Sequence, residues 1–282
     1  MKPTLIEIQK FETGILNDIV EFCDKNEIHY YIVFGTLLGA VRHGGFIPWD
    51  NDIDIAMPIK DFRKFIRLAK KGLPVRYFVQ TYKTDKEYNS MFLKVRVNNT
   101  TSLPLRWLKL NMHWGMGIDI FPIVGVYKNQ KTEKAQIKIY GFQKALINKD
   151  FAIANNDYSW RKSLLLTVMY SLPRSFRHFI CDICSLFVMR SIEETDEIAI
   201  LGNKFTKFNS LEFLPQTNIM FEGNRYTSPE NYNYVLSKTY GDYMILPPES
   251  ERNGHEGILG KIIYDLEKDY KFYQNMKDDY EN

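Results

Sequence analysis

Phe34-Gly-Thr-Leu-Leu-Gly-Ala-Val-Arg-His-Gly-Gly-Phe-Ile-Pro-Trp-Asp-Asn-Asp-Ile-Asp-Ile55 is the stretch that orients the whole chain. Its end runs into Asp52-Ile-Asp-Ile-Ala-Met57, which begins with strict alternation of polar and apolar residues, the period of a β-strand. Alternation places Asp52 and Asp54 on one face of that strand and turns Ile53 and Ile55 to the core. Two carboxylates held side by side on a rigid strand repel, so either one takes a proton or a divalent cation neutralises both. Ligation by carboxylate oxygen alone suits Mg²⁺ or Mn²⁺ better than zinc. An EF-hand loop is excluded, because its glycine and distal glutamate are missing at the required offsets. A solvated acidic loop is the plainer alternative, but such loops are not usually interleaved with Ile-Asp-Ile-Ala-Met. Asp119, in Gly115-Met-Gly-Ile-Asp-Ile-Phe-Pro122, is again polar between apolar neighbours and is the candidate third carboxylate.

The first half of the quoted stretch follows a short apolar run, Tyr30 to Phe34, that reads as a buried strand. Gly35-Thr36 ends it and a small-residue helix follows, presenting free N–H groups and the positive end of a helix dipole. In this reading Gly35 permits the sharp turn, Thr36 caps the helix and bonds a phosphate oxygen, and Gly39 permits close approach. Arg42 and His43 stand at the far end of that helix, positioned to grip a phosphate or carry a proton. The stretch has neither a Walker ending nor the dinucleotide GxGxxG spacing. A phosphate-binding turn beside a metal-binding strand is what a nucleotidyl or phosphoryl transfer site needs.

Outward from this centre the chain reads as an α+β domain covering residues 1–282. An amphipathic helix is expected over 4–26, and a Lys/Arg-rich one over 60–71 with Phe62, Phe65, Ile66 and Leu68 turned inward. Further strands are expected at 76–81, 92–97 and 117–121. Residues 131–206 read as a mainly helical insertion or second lobe, and a last charged helix is expected near 258–277. The most hydrophobic stretch, 164–189, is interrupted by Pro173, Arg174, Arg177, His178 and Asp182, which argues against a spanning helix. Two helices meeting at Pro173 and forming a buried hairpin are expected there, with the Met and Phe residues of 160–190 in the core. The Arg/His-rich junction leaves peripheral membrane contact as the alternative.

The net charge of +3 over 282 residues, without a dense Lys/Arg block, does not indicate nucleic-acid binding. The three cysteines leave one unpaired under any pairing; Cys181-x-x-Cys184 sits in an apolar run, so buried reduced thiols are expected. No signal-peptide core is read at the N-terminus, and a cytoplasmic location is expected, peripheral at the inner face of the membrane if the junction touches lipid.

The run Phe34 to Ile55 strongly resembles the hallmark of the LicD family of phosphotransferases, which includes bacterial phosphorylcholine transferases and the fukutin-related proteins. Gly117-Ile-Asp-Ile-Phe-Pro122 and Tyr240-Gly-Asp-Tyr-Met-Ile-Leu-Pro-Pro248 resemble it too. The resemblance implies a nucleotidyltransferase-like fold, a small mixed β-sheet flanked by helices. It implies transfer of a phospho-alcohol, such as phosphocholine, from a CDP-linked donor to a sugar hydroxyl on a glycan or glycolipid, as in lipopolysaccharide or teichoic acid biosynthesis. By carry-over Asp52, Asp54 and Asp119 are the metal ligands, and Gly35 and Thr36 meet donor phosphates. Asn51 stands where many relatives have Asp; alternation turns it off the ligand face. Asp50, on the ligand-facing parity, is read as support. Candidate substrate residues are Trp49, Trp114 beside His113, Arg225, Asp242 and Tyr243, the rings suiting a choline cation. His255 is expected at the surface. A nucleotidyltransferase that transfers NMP is the alternative, and a non-enzymatic nucleotide- or glycan-binding member is the third.

Overall fold

The computed structural model describes residues 2–147, 167–193 and 195–276, without the side chains of residues 255, 256 and 258. Helix α1, Leu5–Lys25, opens with a capping box: the Thr4 hydroxyl accepts the Glu7 N–H and the Glu7 carboxylate accepts the Thr4 N–H. Its inner stripe of Ile8, Ile15, Leu16 and Ile19 packs into the core.

Among the described residues seven strands form the main sheet. They are β1 (Tyr31–Ile32), β2 (Asp54–Pro58), β3 (Tyr77–Gln80), β4 (Leu93–Val97), β6 (Gly117–Gly125), β7 (Glu197–Leu201) and β8 (Phe205–Asn209). β6 is central. On one side it pairs parallel with β2; on the other it pairs antiparallel first with β4 and then with β7. The sheet is therefore mixed, flanked by helices, and the α+β expectation holds.

Pro122 sits where β6 changes partners, since β4 ends opposite Ile120 and β7 begins opposite Ile123. The Asp119 N–H donates to the Ile53 carbonyl on the β2 side, so by alternation position 122 faces the gap between β4 and β7. A proline there costs no ladder bond.

β1 is shorter than the apolar run Tyr30 to Phe34, because the chain turns into helix α2 at once. α2, Phe34–His43, begins with Phe34 in the left-handed region, φ +49°. Non-glycine residues rarely sit there, so the turn is strained next to the quoted carboxylates. β2 is followed directly by α3, Ile59–Gly72.

Among the described residues two antiparallel strand pairs stand apart from the main sheet. β9 (Gln216–Phe221) and β10 (Asn224–Pro229) are joined by Glu222 and Gly223, both with positive φ, the backbone of a tight primed turn. From that tip the Glu222 carboxylate accepts the Phe46 N–H at 3.0 Å, and the Gly44 carbonyl accepts the Glu222 N–H at 3.2 Å, so the hairpin pins the loop after α2. β5 (Thr101–Pro104) pairs with β11 (Ile262–Asp265). Residues 258–277 are thus not one charged helix. β11 lies between two short helices, Gly254–Leu259 and Tyr270–Asn275, because Ile262-Ile-Tyr264 has the alternating burial of a strand.

Helices α4 (Gln130–Ile147) and α5 (Arg174–Val188) pack on each other. Buried glutamines fasten them: Gln136 Nε2 donates to the carbonyls of Gly125 and Val188, and Gln143 Nε2 to that of Cys181, each at 2.9 Å. The end of the 131–206 segment is not helical, since Glu197–Leu201 is a sheet strand; its apolar run carries no period that separates strand from helix.

Pro173 caps α5 as expected, but the buried hairpin is only half right. Phe176, Phe179, Ile183 and Leu186 recur at helical spacing on the outer face and are all exposed, Leu186 by 80%. Phe176 and Phe179 are therefore not core; the part of that stretch over 148–166 lies outside the described residues. The three cysteines are free thiols, Cys23 and Cys181 buried and Cys184 partly so. Among the described residues no helix is long and apolar enough to cross a membrane.

Candidate active site

The parallel register of β2 and β6 sets Asp54 directly beside Asp119. β2 starts at Asp54 rather than Asp52, which lies in the extended approach to the strand. The alternation survives: Ile53 and Ile55 are fully buried, whereas Asp52 and Asp54 are partly accessible and both line one cleft. On the other flank of β6, Lys94 of β4 stands opposite Asp119 and forms an ion pair with it.

The cleft has a volume of about 510 Å³. Its floor is Asp50, Asp52 and Asp54. Phe34 and Gly35, the first residues of α2, form one wall, so the N-terminus of a ten-residue helix opens onto the carboxylates. Trp49 and Tyr240 flank them, and Glu251, Asn253 and Gly254 close the far side. A Cβ at position 35 would stand 3.1 Å from Asp50 Oδ2, so the glycine lets the carboxylate lie against the helix start. Asp50 is fixed besides: its Oδ1 accepts the Asn51 N–H at 3.0 Å, and its carbonyl accepts Gln9 Nε2 of α1 at 2.7 Å.

Burial pushes the Asp54 carboxyl well above the usual carboxylate range, and the charges of Asp52, Asp119 and Asp50 push it the same way, against Lys94. Glu12 joins this field from α1. It is 4% exposed, burial raises it strongly, Asp52 and Asp119 add to the rise, and its Oε2 has no hydrogen-bond partner among the described residues. Below the carboxylates Arg96 is buried, donating to Gln80 Oε1 at 2.9 Å and to the Gly115 carbonyl at 2.8 Å. Burial also raises the Tyr240 hydroxyl, and the Asp54, Asp52 and Asp50 charges oppose its ionisation further, so it remains a donor at neutral pH.

Among the described residues no three His, Cys, Asp or Glu side chains are grouped as a metal ion would hold them, and Lys94 already engages Asp119. The chemistry of the donor set still fits a hard cation: the groups are carboxylate oxygens, negative charge is in excess, and Glu12 Oε2 is orphaned in the same field.

The remaining residues separate. Thr36 does not cap α2, whose N-cap is Val33; its buried hydroxyl accepts the Asp54 N–H at 2.8 Å and fixes that carboxylate's backbone. Gly39 makes room for its own loop rather than for a ligand, since a Cβ there would be 2.4 Å from the Gly45 carbonyl. Arg42 is half-buried and donates to the Tyr243 carbonyl at 2.8 Å; His43 is exposed beside it. Asn51 points away from the floor, as its parity requires, and donates to the Tyr264 hydroxyl at 3.0 Å.

Trp49 reaches the cleft, but Trp114 does not. It is buried in a separate cluster, stacked on Trp107, with its indole N–H donating to the Leu110 carbonyl. His113 is structural as well, stacked on Phe78 and held neutral by burial with its pKa lowered to about 3. Arg225 and Asp242 are exposed and do not line the cleft; Tyr243 directs its hydroxyl to Asn233. The His255 side chain lies outside the described residues.

Sequence reading missed Glu12 and Lys94, and carried Tyr240 only within the Tyr240 to Pro248 resemblance. Two signals pointed to the first pair: Glu12 interrupts the apolar stripe of α1, and Lys94 and Arg96 alternate with Leu93, Val95 and Val97 in a buried strand. Charges in such places need counter-charges.

Residues 27–150 match the family described as LicD/FKTN/FKRP, nucleotidyltransferase domain. The chain is 26% identical over 266 residues to the lipopolysaccharide cholinephosphotransferase LicD of Haemophilus influenzae, covering 90% of this chain and 96% of that protein. It is 47% identical over 57 residues to the human ribitol 5-phosphate transferase FKRP, 20% of this chain and 10% of that one. Mannosyltransferase regulator 4 of Saccharomyces cerevisiae is 26% identical over 129 residues, 42% of this chain and 10% of that protein.

Proposed function

The chain belongs to the LicD family through residues 27–150, and we propose from that premise that it is a metal-dependent phosphotransferase. It moves a phospho-alcohol, phosphocholine foremost, from a CDP-linked donor to a sugar hydroxyl of a cell-surface glycan or glycolipid precursor. The observation that carries this reading is the gathering of Asp50, Asp52 and Asp54 under one cleft, with Asp119 held beside Asp54 by strand register.

Asp52, Asp54 and Asp119 are the residues that would hold Mg²⁺ or Mn²⁺. Bound there, the cation would offset the charge that develops on the phosphorus oxygens and on the departing nucleotide. The chain's own groups do the rest. The N–H groups at the start of α2 face the donor phosphates, and the side-chain-free Gly35 lets them approach. The Tyr240 hydroxyl, kept protonated by its surroundings, donates to a phosphate oxygen. Asp119, set beside Asp54 by strand register, would take the proton of the attacking hydroxyl, as base or through the cation it would help to hold. The sugar oxygen bonds to the phosphorus that carries the alcohol, the bond from that phosphorus to the bridging oxygen breaks, and CMP leaves.

The test is incubation with a panel of CDP-alcohols and Mg²⁺ or Mn²⁺, with and without saccharide acceptors, following CMP. CMP release that stops on chelation and returns with the cation is expected. Pyrophosphate release from CTP, with no CMP from any CDP-alcohol, would point to NMP transfer and sink the reading.

A further inference from the structure

The floor of the cleft is acidic, but two guanidiniums stand by residues that line it, Arg42 by Tyr240 and Arg252 by Trp49. Arg42, in the last turn of α2, is fixed by the bond from Nη1 to the Tyr243 carbonyl at 2.8 Å. Arg252, just after a short turn of 3₁₀ helix at Glu249–Glu251, is fixed by a bond from Nε to the Pro247 carbonyl at 2.8 Å. Its guanidinium lies 5.4 Å from the centroid of the Trp49 ring, and Trp49 lines the cleft. Both arginines are therefore anchored by carbonyls of one short stretch, 243–247, whose two ends adjoin the cleft-lining Tyr240 and Glu251.

Neither has an Asp or Glu ion-pair partner among the described residues. Burial lowers the Arg42 pKa, and the nearby Arg252 charge adds to the fall. The carbonyl bonds occupy one edge of each guanidinium. Nη2 of Arg42 and both Nη groups of Arg252 retain N–H donors to which the described residues assign no acceptor. Two like charges are held near each other with no ion-pair partner among the described residues, and an anion between them would remove the repulsion. A carboxylate ligand would still face the acidic floor. A pyrophosphate group accompanied by a divalent cation satisfies both parts, its oxygens meeting the guanidinium forks and its cation the carboxylates.

We propose that Arg42 and Arg252 form a two-guanidinium clamp that holds a pyrophosphate group across the mouth of the cleft. The inference rests on reading the cleft as a phosphate-transfer site, and it assigns Arg252 a binding role that the motif-bearing half of the chain does not contain.

Calorimetric titration of the full chain with magnesium pyrophosphate tests it, alongside Arg42→Ala, Arg252→Ala, Arg252→Gln and Arg252→Lys, with thermal melting as the check on folding. Each alanine variant should weaken pyrophosphate binding about 10- to 100-fold, the loss expected for charge-assisted bidentate bonds. Arg252→Lys should restore only part of it, because an ammonium keeps the charge and loses the fork. If Arg252→Ala melts early through loss of contact with Trp49, Arg252→Gln keeps the stem and reads out the charge. Wild-type protein that ignores pyrophosphate, or folded Arg42→Ala and Arg252→Gln variants that bind it within about twofold of wild type, would overturn the clamp. Arginine-dependent pyrophosphate binding without CMP release from any CDP-alcohol would leave the clamp standing and remove the functional reading. Undiminished CMP release in both alanine variants would do the reverse.

Discussion

Around β2 and the start of β6 carboxylates are buried beside one another, whereas on the outer face of α5 large apolar side chains stand in water. Each region departs from what stability alone favours, and in opposite directions. The first concentrates charge in the tightest part of the fold: Asp54 between Asp119 and the Thr36 hydroxyl, Glu12 with its Oε2 unbonded among the described residues, Lys94 and Arg96 in a buried strand. The second spends apolar surface on solvent. Departures of this kind mark function more reliably than well-satisfied packing does, because a fold keeps them only where something else requires them. The two differ in what they need. A cluster of buried carboxylates calls for small cationic or protonic company; an exposed apolar stripe calls for a large surface.

The sharpest way to break the contrast is at the carboxylates. Asp54→Asn should lower CMP release by about 10²–10³-fold or more, while the melting temperature holds or rises, because the amide removes one of several repelling charges. A loss of activity that merely tracks unfolding would make Asp54 structural. Next in size is Trp114→Ala, which should cost about 3–5 kcal/mol in denaturant unfolding yet leave KM for the donor unchanged, since the indole belongs to the cluster with Trp107 rather than to the cleft. A raised KM in protein that remains folded would return Trp114 to the site.

Glu12 sharpens the comparison through pH. Its folded pKa is raised above the ordinary value of 4.5, so the native state holds a proton that the unfolded chain gives up. Stability is then present below pH 4.5 and is lost as pH rises from there toward the raised folded value, by at most about 1.4 kcal/mol per pH unit. Glu12→Gln, compared with wild type in chelator at pH 4.5 and pH 7, should flatten that component of the slope. Parallel slopes would show that the carboxyl finds a partner. The smallest effect belongs to the outer face of α5. Phe179→Ser with Leu186→Ser should leave unfolding free energy within about 0.5 kcal/mol and turnover in solution unchanged, because both side chains are already exposed. A clear loss of stability would mean that the stripe is covered.

Much of the site was legible because strand alternation is a strong local signal. Ile53 and Ile55 inside with Asp52 and Asp54 toward the cleft, and Asn51 turned away, follow from a period of two whether or not β2 begins at Asp52. The limits were also physical. Thr36 has the composition of a helix cap, but the chain enters α2 two residues earlier through the left-handed Phe34, and its hydroxyl is turned to the Asp54 backbone instead. Trp114 lies close to Asp119 in sequence, yet β6 carries the carboxylate into the sheet while the indole remains in the cluster behind β5. Lys94, Glu12 and Tyr240 reach the carboxylates only through tertiary packing, which no local period encodes.

The side-by-side register of Asp54 and Asp119 has a consequence for the order in which the chain acquires structure. β2 and β6 run parallel, and the chain between them contains α3, β3, β4 and β5 before it returns. Such a pairing closes a long loop, and its entropy must be met before the contacts form, whereas helices such as α1 and α3 need only near neighbours. After dilution from denaturant, helical signal should therefore return ahead of any capacity to bind a donor. During synthesis the quoted stretch emerges early and remains inert until the segment bearing Asp119 has cleared the ribosome and added itself alongside.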